Sequence, residues 1–310
     1  MSIFAFIYPG QGAQKPGMGR ALFEAYPAAR DAFGTAGEVW EKDVLTLCFD
    51  TEPEKLNQTV NAQMALFAVS MAAHAVLAAE GITPGAVAGF SLGECCALCA
   101  AGVLTWRDGL LLVKYRAQSM QEAAERTGGA MSAVLGLSWD EVKDVCRQVS
   151  GFVEPVNDNC PGQTVIAGEP DAVAQAEANC LSAGASRAVR LPLSAAFHTH
   201  SMKQAAQTLQ QAVQTLAFSP ARLPLYTNIT GTVLPENADM PVHMATQMQN
   251  PVRFQTCVQS ILSAGFSHFV EVGEGKTLSG FVRRIDRNAK TYQTETPEQI
   301  QKIQDINAEK

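Results

Sequence analysis

At 310 residues the chain has room for one large domain carrying an insertion, or for two domains. Hydrophobic residues make up 47% and charged residues 17%, enough apolar side chain for a sizeable core and too little charge for a disordered chain. A net charge of -7 with few basic clusters argues against nucleic acid as a partner.

The N-terminal run MSIFAFIYP is apolar but too short and uncharged for a signal peptide. It reads as a strand over 4–8 that feeds the Gly-rich loop 9–19. A helix is expected around 21–33, a short helical stretch at 54–56, and a long helix over 62–80. The Ala-rich part of that long helix, 62–79, is the one segment that invites a membrane reading. Gln63, Ser70 and His74 interrupt it and Ala is only weakly apolar, so a buried helix is expected. The reading is therefore of a cytoplasmic protein with no membrane partner. A short buried strand follows at 86–89, then a Pro-free helix over 92–101 and a further helix over 106–126 that ends at Thr127-Gly128-Gly129.

Between 129 and 191 the rhythm changes. A strand over 131–137 precedes a helix over 139–149 capped by Ser138. Strands over 152–156 and 164–168 flank an Asn/Gly/Pro loop, and a helix over 171–183 leads to a last strand over 186–191. That order, βαββαβ, matches the ferredoxin-like unit. The fold class is thus α/β: an α/β-hydrolase-like large domain (1–128 and 192–310) with a parallel sheet and a nucleophile elbow, plus an inserted ferredoxin-like small subdomain (129–191). From Lys290 onward the sequence is polar and carries little signal.

Ser91 lies between glycines in Gly89-Phe90-Ser91-Leu92-Gly93, the G-x-S-x-G pattern of a nucleophile elbow at a strand-to-helix turn. The same serine is also a plausible helix cap, and the pentapeptide alone leaves both readings open. A serine nucleophile needs a base. Of the five histidines, His74 falls inside the Ala-rich helix and reads as a satisfied core residue. His198 lies in LPLSAAFHTHSMK (191–203), where the inserted unit hands back to the main domain, and such a hinge is a natural cleft wall. His200, two residues on, is its rival. The eight cysteines show only a lone Cys96–Cys99 C-x-x-C, and no His-x-x-x-His exists, so no zinc site is expected and the thiols read as reduced and buried.

Eight stretches, taken together, converge on one family: YPGQGAQKPGMG (8–19), AQMAL (62–66), GFSLGE (89–94), KYRAQSM (114–120), NDNCPGQTVIAG (157–168), AAFH (195–198), QMQNPVRF (247–254) and EVGEGKTLSG (271–280). Over residues 3 to about 286 the chain resembles the malonyl-CoA:acyl carrier protein transacylases, including the acyltransferase domains of fatty-acid and polyketide synthases. The resemblance implies that Ser91 is the acylated nucleophile and His198 its general base. It implies an oxyanion hole from the backbone N–H groups of Gln11 and Leu92, and a His198 oriented by the Gln247 backbone carbonyl instead of a buried carboxylate. Arg116 would hold the free carboxylate of malonyl, which suits a planar guanidinium with paired donors. Gln63 would add a polar contact near the site. Phe197 would narrow the pocket against branched acyl groups. Phe90 departs from the family, which usually has His before the nucleophile. Asn157 and Asn159 are expected to hold the subdomain loop. Malonyl-CoA and acyl carrier protein would be the partners, with the CoA thioester a substrate and no cofactor. Arg187, Arg190, Lys203, Lys276, Arg283 and Arg284 are candidates for a carrier-protein face.

Two other readings make different demands. A plain α/β-hydrolase esterase needs an Asp or Glu between nucleophile and histidine and an HGGG-like loop, and this chain has a βαββαβ insertion there and no HGGG. A non-catalytic carrier-binding scaffold leaves Ser91, His198 and Arg116 without a reason to occur together. A nucleotide site fails because Gly10-Gln11-Gly12 lacks the third glycine of GxGxxG.

Overall fold

A strand that is apolar at every position is satisfied only when both of its faces are covered. Phe4–Tyr8 (β1) is such a strand, and every residue of it is buried. In the computed structural model, which describes residues 3–309, it forms the centre of a five-stranded parallel sheet in a mixed α/β fold. The order is Leu225–Tyr226 (β7), Ala86–Gly89 (β2), β1, His268–Glu271 (β8), Lys290–Gln293 (β9). Alternation along β1 sends Phe4, Phe6 and Tyr8 into one core and Ala5 and Ile7 into another, with helices covering each face.

The helix Thr59–Ala79 crosses the larger core. It is long and apolar enough to span a bilayer, but 78% of that window is buried inside the protein, as the interrupting Gln63, Ser70 and His74 led us to expect. His74 is indeed satisfied, with its Nδ1 2.8 Å from the Tyr8 hydroxyl. Burial pushes its pKa down to about 4, so it stays neutral.

The second sheet is antiparallel and four-stranded, in the order Val153–Cys160 (β4), Gln163–Gly168 (β5), Ala130–Leu135 (β3), Arg187–Arg190 (β6). Two helices, Trp139–Arg147 and Pro170–Ser182, cover one face over a separate core that includes Val142, Ile166 and Val173. Ser138 and Glu141 cap the first of these reciprocally. The two chain crossings between sheets touch: a Cβ on Gly129 would lie 2.5 Å from the Ala196 backbone nitrogen.

Several elements differ from the sequence expectation for local reasons. The helix expected over 21–33 is two, Arg20–Ala25 and Pro27–Trp40, because Pro27 starts a new first turn and Tyr26 is extended. The strand expected over 131–137 ends at Leu135, since Gly136 turns at φ +101°. The stretch after Lys290 is ordered: it supplies the edge strand β9 and the helix Pro297–Ala308, opened by a Thr296/Gln299 capping box. All eight cysteines are free and buried.

The glycines of the elbow are required by contact. A Cβ on Gly93 would sit 2.1 Å from the Tyr8 carbonyl oxygen, where neither backbone can yield. Gly93→Ala should therefore lower stability by about 1–3 kcal/mol or more in urea unfolding. Gly34, inside Pro27–Trp40 with nothing within 4 Å of an added Cβ, is the control, and Gly34→Ala should raise it by about 0.5–1 kcal/mol.

Candidate active site

Parallel pairing of β1 with β2 sets Tyr8 beside Gly89, so both strands end at the same edge and their loops meet there. After β1 comes the Gly-rich loop, and after β2 the turn into the helix Gly93–Ala100. Ser91 occupies that turn at φ +52°, a left-handed backbone that a side chain rarely adopts. Gly89 lets the turn close, as a Cβ there would overlap the Gly93 carbonyl carbon at 1.9 Å. Gly10 lets the other loop press onto the Phe90 carbonyl, 2.4 Å from where its Cβ would be. Ser91 thus stands before the helix in a strained elbow and does not cap it.

Counting the N–H groups of the turn finds the free donor. The Ser91 N–H donates to Asn228 Oδ1 at 2.7 Å, the Gly93 N–H to the Phe90 carbonyl and the Glu94 N–H to the Ser91 carbonyl. The Leu92 N–H has no acceptor among the described residues, and neither has that of Gln11 on the facing loop. These are the two donors expected for an oxyanion hole.

Ser91 Oγ lies 2.8 Å from His198 Nε2. The His198 Nδ1–H is shared between the carbonyls of Gln247, at 3.0 Å, and Asn250, at 3.1 Å. Both carbonyls belong to the end of the helix Met240–Gln249, where such groups have no intrahelical donor. They fix the tautomer, leaving the Nε2 lone pair for the serine proton, and the helix C-terminus favours the imidazolium that then forms. Burial, with the Arg116 charge second, lowers the His198 pKa to about 4, so the ring is a neutral acceptor at pH 7. The rival His200 packs edge-on against Phe152, at 4.2 Å between centroids, and the contact with Ser91 belongs to His198.

Arg116 is the largest of the fully buried side chains. Its Nη2 donates to Ser91 Oγ at 3.1 Å and to Gln247 Oε1 at 3.3 Å, and its Nη1 to Gln63 Oε1 at 2.6 Å. Its Nε has no partner, and no carboxylate forms an ion pair with it among the described residues. Burial pulls its pKa down from the ordinary arginine value. Gln63 itself is fully buried behind Arg116, so it orients the guanidinium and does not line the pocket.

Gln11, Phe90, Ser91, Asn157, Leu191, Leu193, Phe197 and His198 enclose a cavity of about 70 Å³, along with Met120 and Met131. Past Phe90 it adjoins a cleft of about 180 Å³ that runs between the two sheets and is lined by Asn159, Gln163, Leu278 and Phe281. Phe90, where a polar residue is usual, packs against Phe254 and Phe281 at 5.5 and 6.3 Å and makes that wall apolar. Asn157 holds the loop as expected, pairing its backbone with Val165 and Val252. The side-chain oxygens of Asn157 and Asn159 are nevertheless buried without partners, so these residues also present acceptors to the cleft.

The sequence reading missed Asn228, Asn250, Glu94 and His243. Asn228 holds the elbow from outside: its Oδ1 accepts from the Ser91 N–H and its Nδ2 donates to the Gly89 carbonyl at 2.6 Å. It lies 137 residues from Ser91, and only the pairing of β7 with β2 brings it there.

Together these features bring a strained serine, a neutral imidazole, two free N–H donors and a buried cation into one place, an arrangement suited to acyl transfer through serine. The acyl transferase domain family matches residues 5–296. The chain is 38% identical to the malonyl CoA-acyl carrier protein transacylase of Bacillus subtilis, over 97% of this chain and 96% of that protein. It also superimposes on the crystal structure of the malonyl-CoA:acyl carrier protein transacylase of Xanthomonas oryzae with a TM-score of 0.94 at 38% identity, covering 99% and 98% of the two chains. A chain of the structure of a malonyl-transacylase in complex with its type II polyketide-synthase acyl-carrier protein gives the same score at 34% identity, with 98% of this chain and 99% of that chain covered. The chain belongs to the acyl transferase family and, within it, to the malonyl CoA-acyl carrier protein transacylases.

The low pKa of the base has a kinetic signature. Acylation of Ser91 by an uncharged activated ester such as p-nitrophenyl acetate should be flat through neutral pH and fall only on an acid limb near pH 4. In Arg116→Ala that limb should move up, because one of the two causes of the depression is removed. A limb unmoved by the substitution would show that the charge does not reach the ring.

Proposed function

We propose that this chain transfers a malonyl group from malonyl-CoA to the phosphopantetheine thiol of an acyl carrier protein, for fatty-acid or polyketide synthesis. One observation carries the choice of acyl group: a fully buried arginine, without a carboxylate partner, donates to the nucleophile itself. An unpaired charge in the interior is costly, and a ligand carboxylate with two parallel acceptors is its natural complement. Acetyl has no such group. A cavity of about 70 Å³ at Ser91, narrowed by Phe197, suits a short acyl chain.

In the first half-reaction Ser91 Oγ attacks the thioester carbonyl carbon while its proton passes to His198 Nε2. The Gln11 and Leu92 N–H groups receive the charge that develops on the carbonyl oxygen. The carbon–sulfur bond then breaks, coenzyme A sulfur takes the proton from His198, and malonyl remains esterified to Ser91. The carrier thiol reverses these steps: it gives its proton to His198, attacks the ester carbon and leaves with malonyl as Ser91 is reprotonated. The coenzyme A thioester is a substrate, and no cofactor enters these steps. Coenzyme A thioesters and carrier proteins as substrates set the reaction in the cytoplasm.

We read residues 1–128 and 192–310 as an α/β-hydrolase-like large domain, supported by the parallel sheet and the elbow at the end of β2. Residues 129–191 read as a ferredoxin-like subdomain, supported by the β4-β5-β3-β6 antiparallel order. The cleft between them is the path for the pantetheine arm. Of the basic residues considered for carrier docking, Lys276 and Arg284 best fit its rim. Lys276 precedes the lining residues Thr277 and Leu278, and Arg284 donates to Gln163 Oε1 at 3.0 Å. Arg190 is already paired with Glu177 at 2.9 Å and fits less well.

Arg116→Ala tests the reading. Removing one member of a buried charged pair costs roughly 2–5 kcal/mol, so kcat/KM for malonyl-CoA should fall about thirty-fold or more. The rate with acetyl-CoA should hold or rise. Arg116→Lys should recover only part of the loss, since an ammonium lacks the planar fork. Equal losses with both donors would assign Arg116 to the fold. Ser91→Ala should form no acyl-enzyme with either donor.

A further inference from the structure

A buried charged pair joins the elbow helix to the helix whose C-terminal carbonyls hold His198. Glu94 follows Ser91 by three residues on the elbow helix Gly93–Ala100 and is fully buried. His243 precedes Gln247 by four residues on Met240–Gln249, so the two share one helix face. His243 Nε2 lies 2.6 Å from Glu94 Oε1, and one turn along the same helix Gln247 Nε2 donates to the Ser91 carbonyl at 2.9 Å. The other oxygen of Glu94, Oε2, accepts from the Asn228 backbone N–H at 2.7 Å.

We propose that Glu94 and His243 are a positioning pair for acyl transfer, clamping the helix Met240–Gln249 and Asn228 to the elbow. Neither residue touches the reacting atoms; both act through others. If the helix shifts away from the elbow, the Gln247 and Asn250 carbonyls that fix the His198 tautomer move with it. A shift of Asn228 releases the Ser91 N–H and the Gly89 carbonyl, the two peptide groups it holds in the strained turn. A buried carboxylate is stable only when paired and hydrogen-bonded, so the pair defines a narrow spacing. The other titratable or charged groups facing Glu94 are Arg116 from the helix Trp106–Thr127, Cys257 from Phe254–Ser263 and the adjacent Cys95. Both thiols are pushed up by burial and stay neutral.

The His243 side chain is 11% exposed, enough to exchange protons with solvent. Burial opposes its charge, but the bond to Glu94 outweighs this and the net pKa is raised above the ordinary histidine value. The charged pair is therefore complete below that ordinary value and is lost as pH rises through the raised one.

The inference rests on the acyl-transfer reading, so its test uses two acyl-site reagents with His243→Leu and His243→Gln. One is malonyl-CoA; the other is a fluorophosphonate, which reports Ser91 and His198 without a malonyl group. His243→Leu should lower kcat and the rate of Ser91 phosphonylation together by about ten- to a hundredfold, with KM for malonyl-CoA unchanged. His243→Gln, which can still donate to Glu94, should recover most of both at neutral pH. Wild-type rates in His243→Leu with only a lower melting temperature would overturn the proposal, as would a His243→Gln variant impaired in both rates as much as His243→Leu. If the wild-type enzyme is phosphonylated but takes no malonyl from malonyl-CoA, the proposed function fails and the positioning pair is still decided by the phosphonylation rates.

Discussion

The structure depends on one peptide geometry. Ser91 is held at φ +52°, where its hydroxyl stands clear of the sheet edge, and nothing in the local sequence favours that conformation over a relaxed helix start. The surroundings impose it. Asn228 binds the N–H of Ser91 and the carbonyl of Gly89, and Gln247 binds the carbonyl of Ser91. Gly89, Gly93 and Gly10 remove the side chains that would collide with the turn or with its partner loop. The strain is thus held by these three hydrogen bonds and the close glycine contacts instead of being relieved.

The same contacts set the electrostatics. Gln247 reaches all three reacting groups: its backbone carbonyl takes the His198 proton donor, its amide N–H meets Ser91, and its amide oxygen meets Arg116. The site therefore contains a buried cation 3.1 Å from the nucleophile oxygen and a base kept neutral partly by that cation. A substrate carboxylate would satisfy the cation and lift its pressure on the base in one event. On the function proposed above, selection of the acyl group and readiness of the base are coupled through one guanidinium.

Much of this was legible in the sequence. The G-x-S-x-G spacing at a strand end, the hinge position of His198 and the glycines around Gln11 each follow from local chemistry, and the family resemblance added Arg116 and Gln247. The parts that were not legible are those made by long-range pairing. Asn228 sits in an unremarkable polar turn, and only the short strand β7 carries it to Ser91. Glu94 reads as an ordinary first-turn acid of a helix, yet it is fully buried against His243, 149 residues away. Gln63 was legible as a polar residue near the site, but its hydrogen bond to Arg116 depends on how two long helices pack. The capping box at Thr296 and Gln299 was a readable signal for the last helix, obscured by the polar composition around it.

If the buried arginine beside Ser91 selects a carboxylate-bearing acyl group, the two donors must separate at the acylation step. The most direct measurement is a competition: wild-type enzyme with equal concentrations of malonyl-CoA and acetyl-CoA, without acceptor, quenched and analysed by peptide mass spectrometry. The peptide containing Ser91 should carry almost only malonyl. An equal or larger share of acetyl on Ser91, or acylation at another residue, would contradict it.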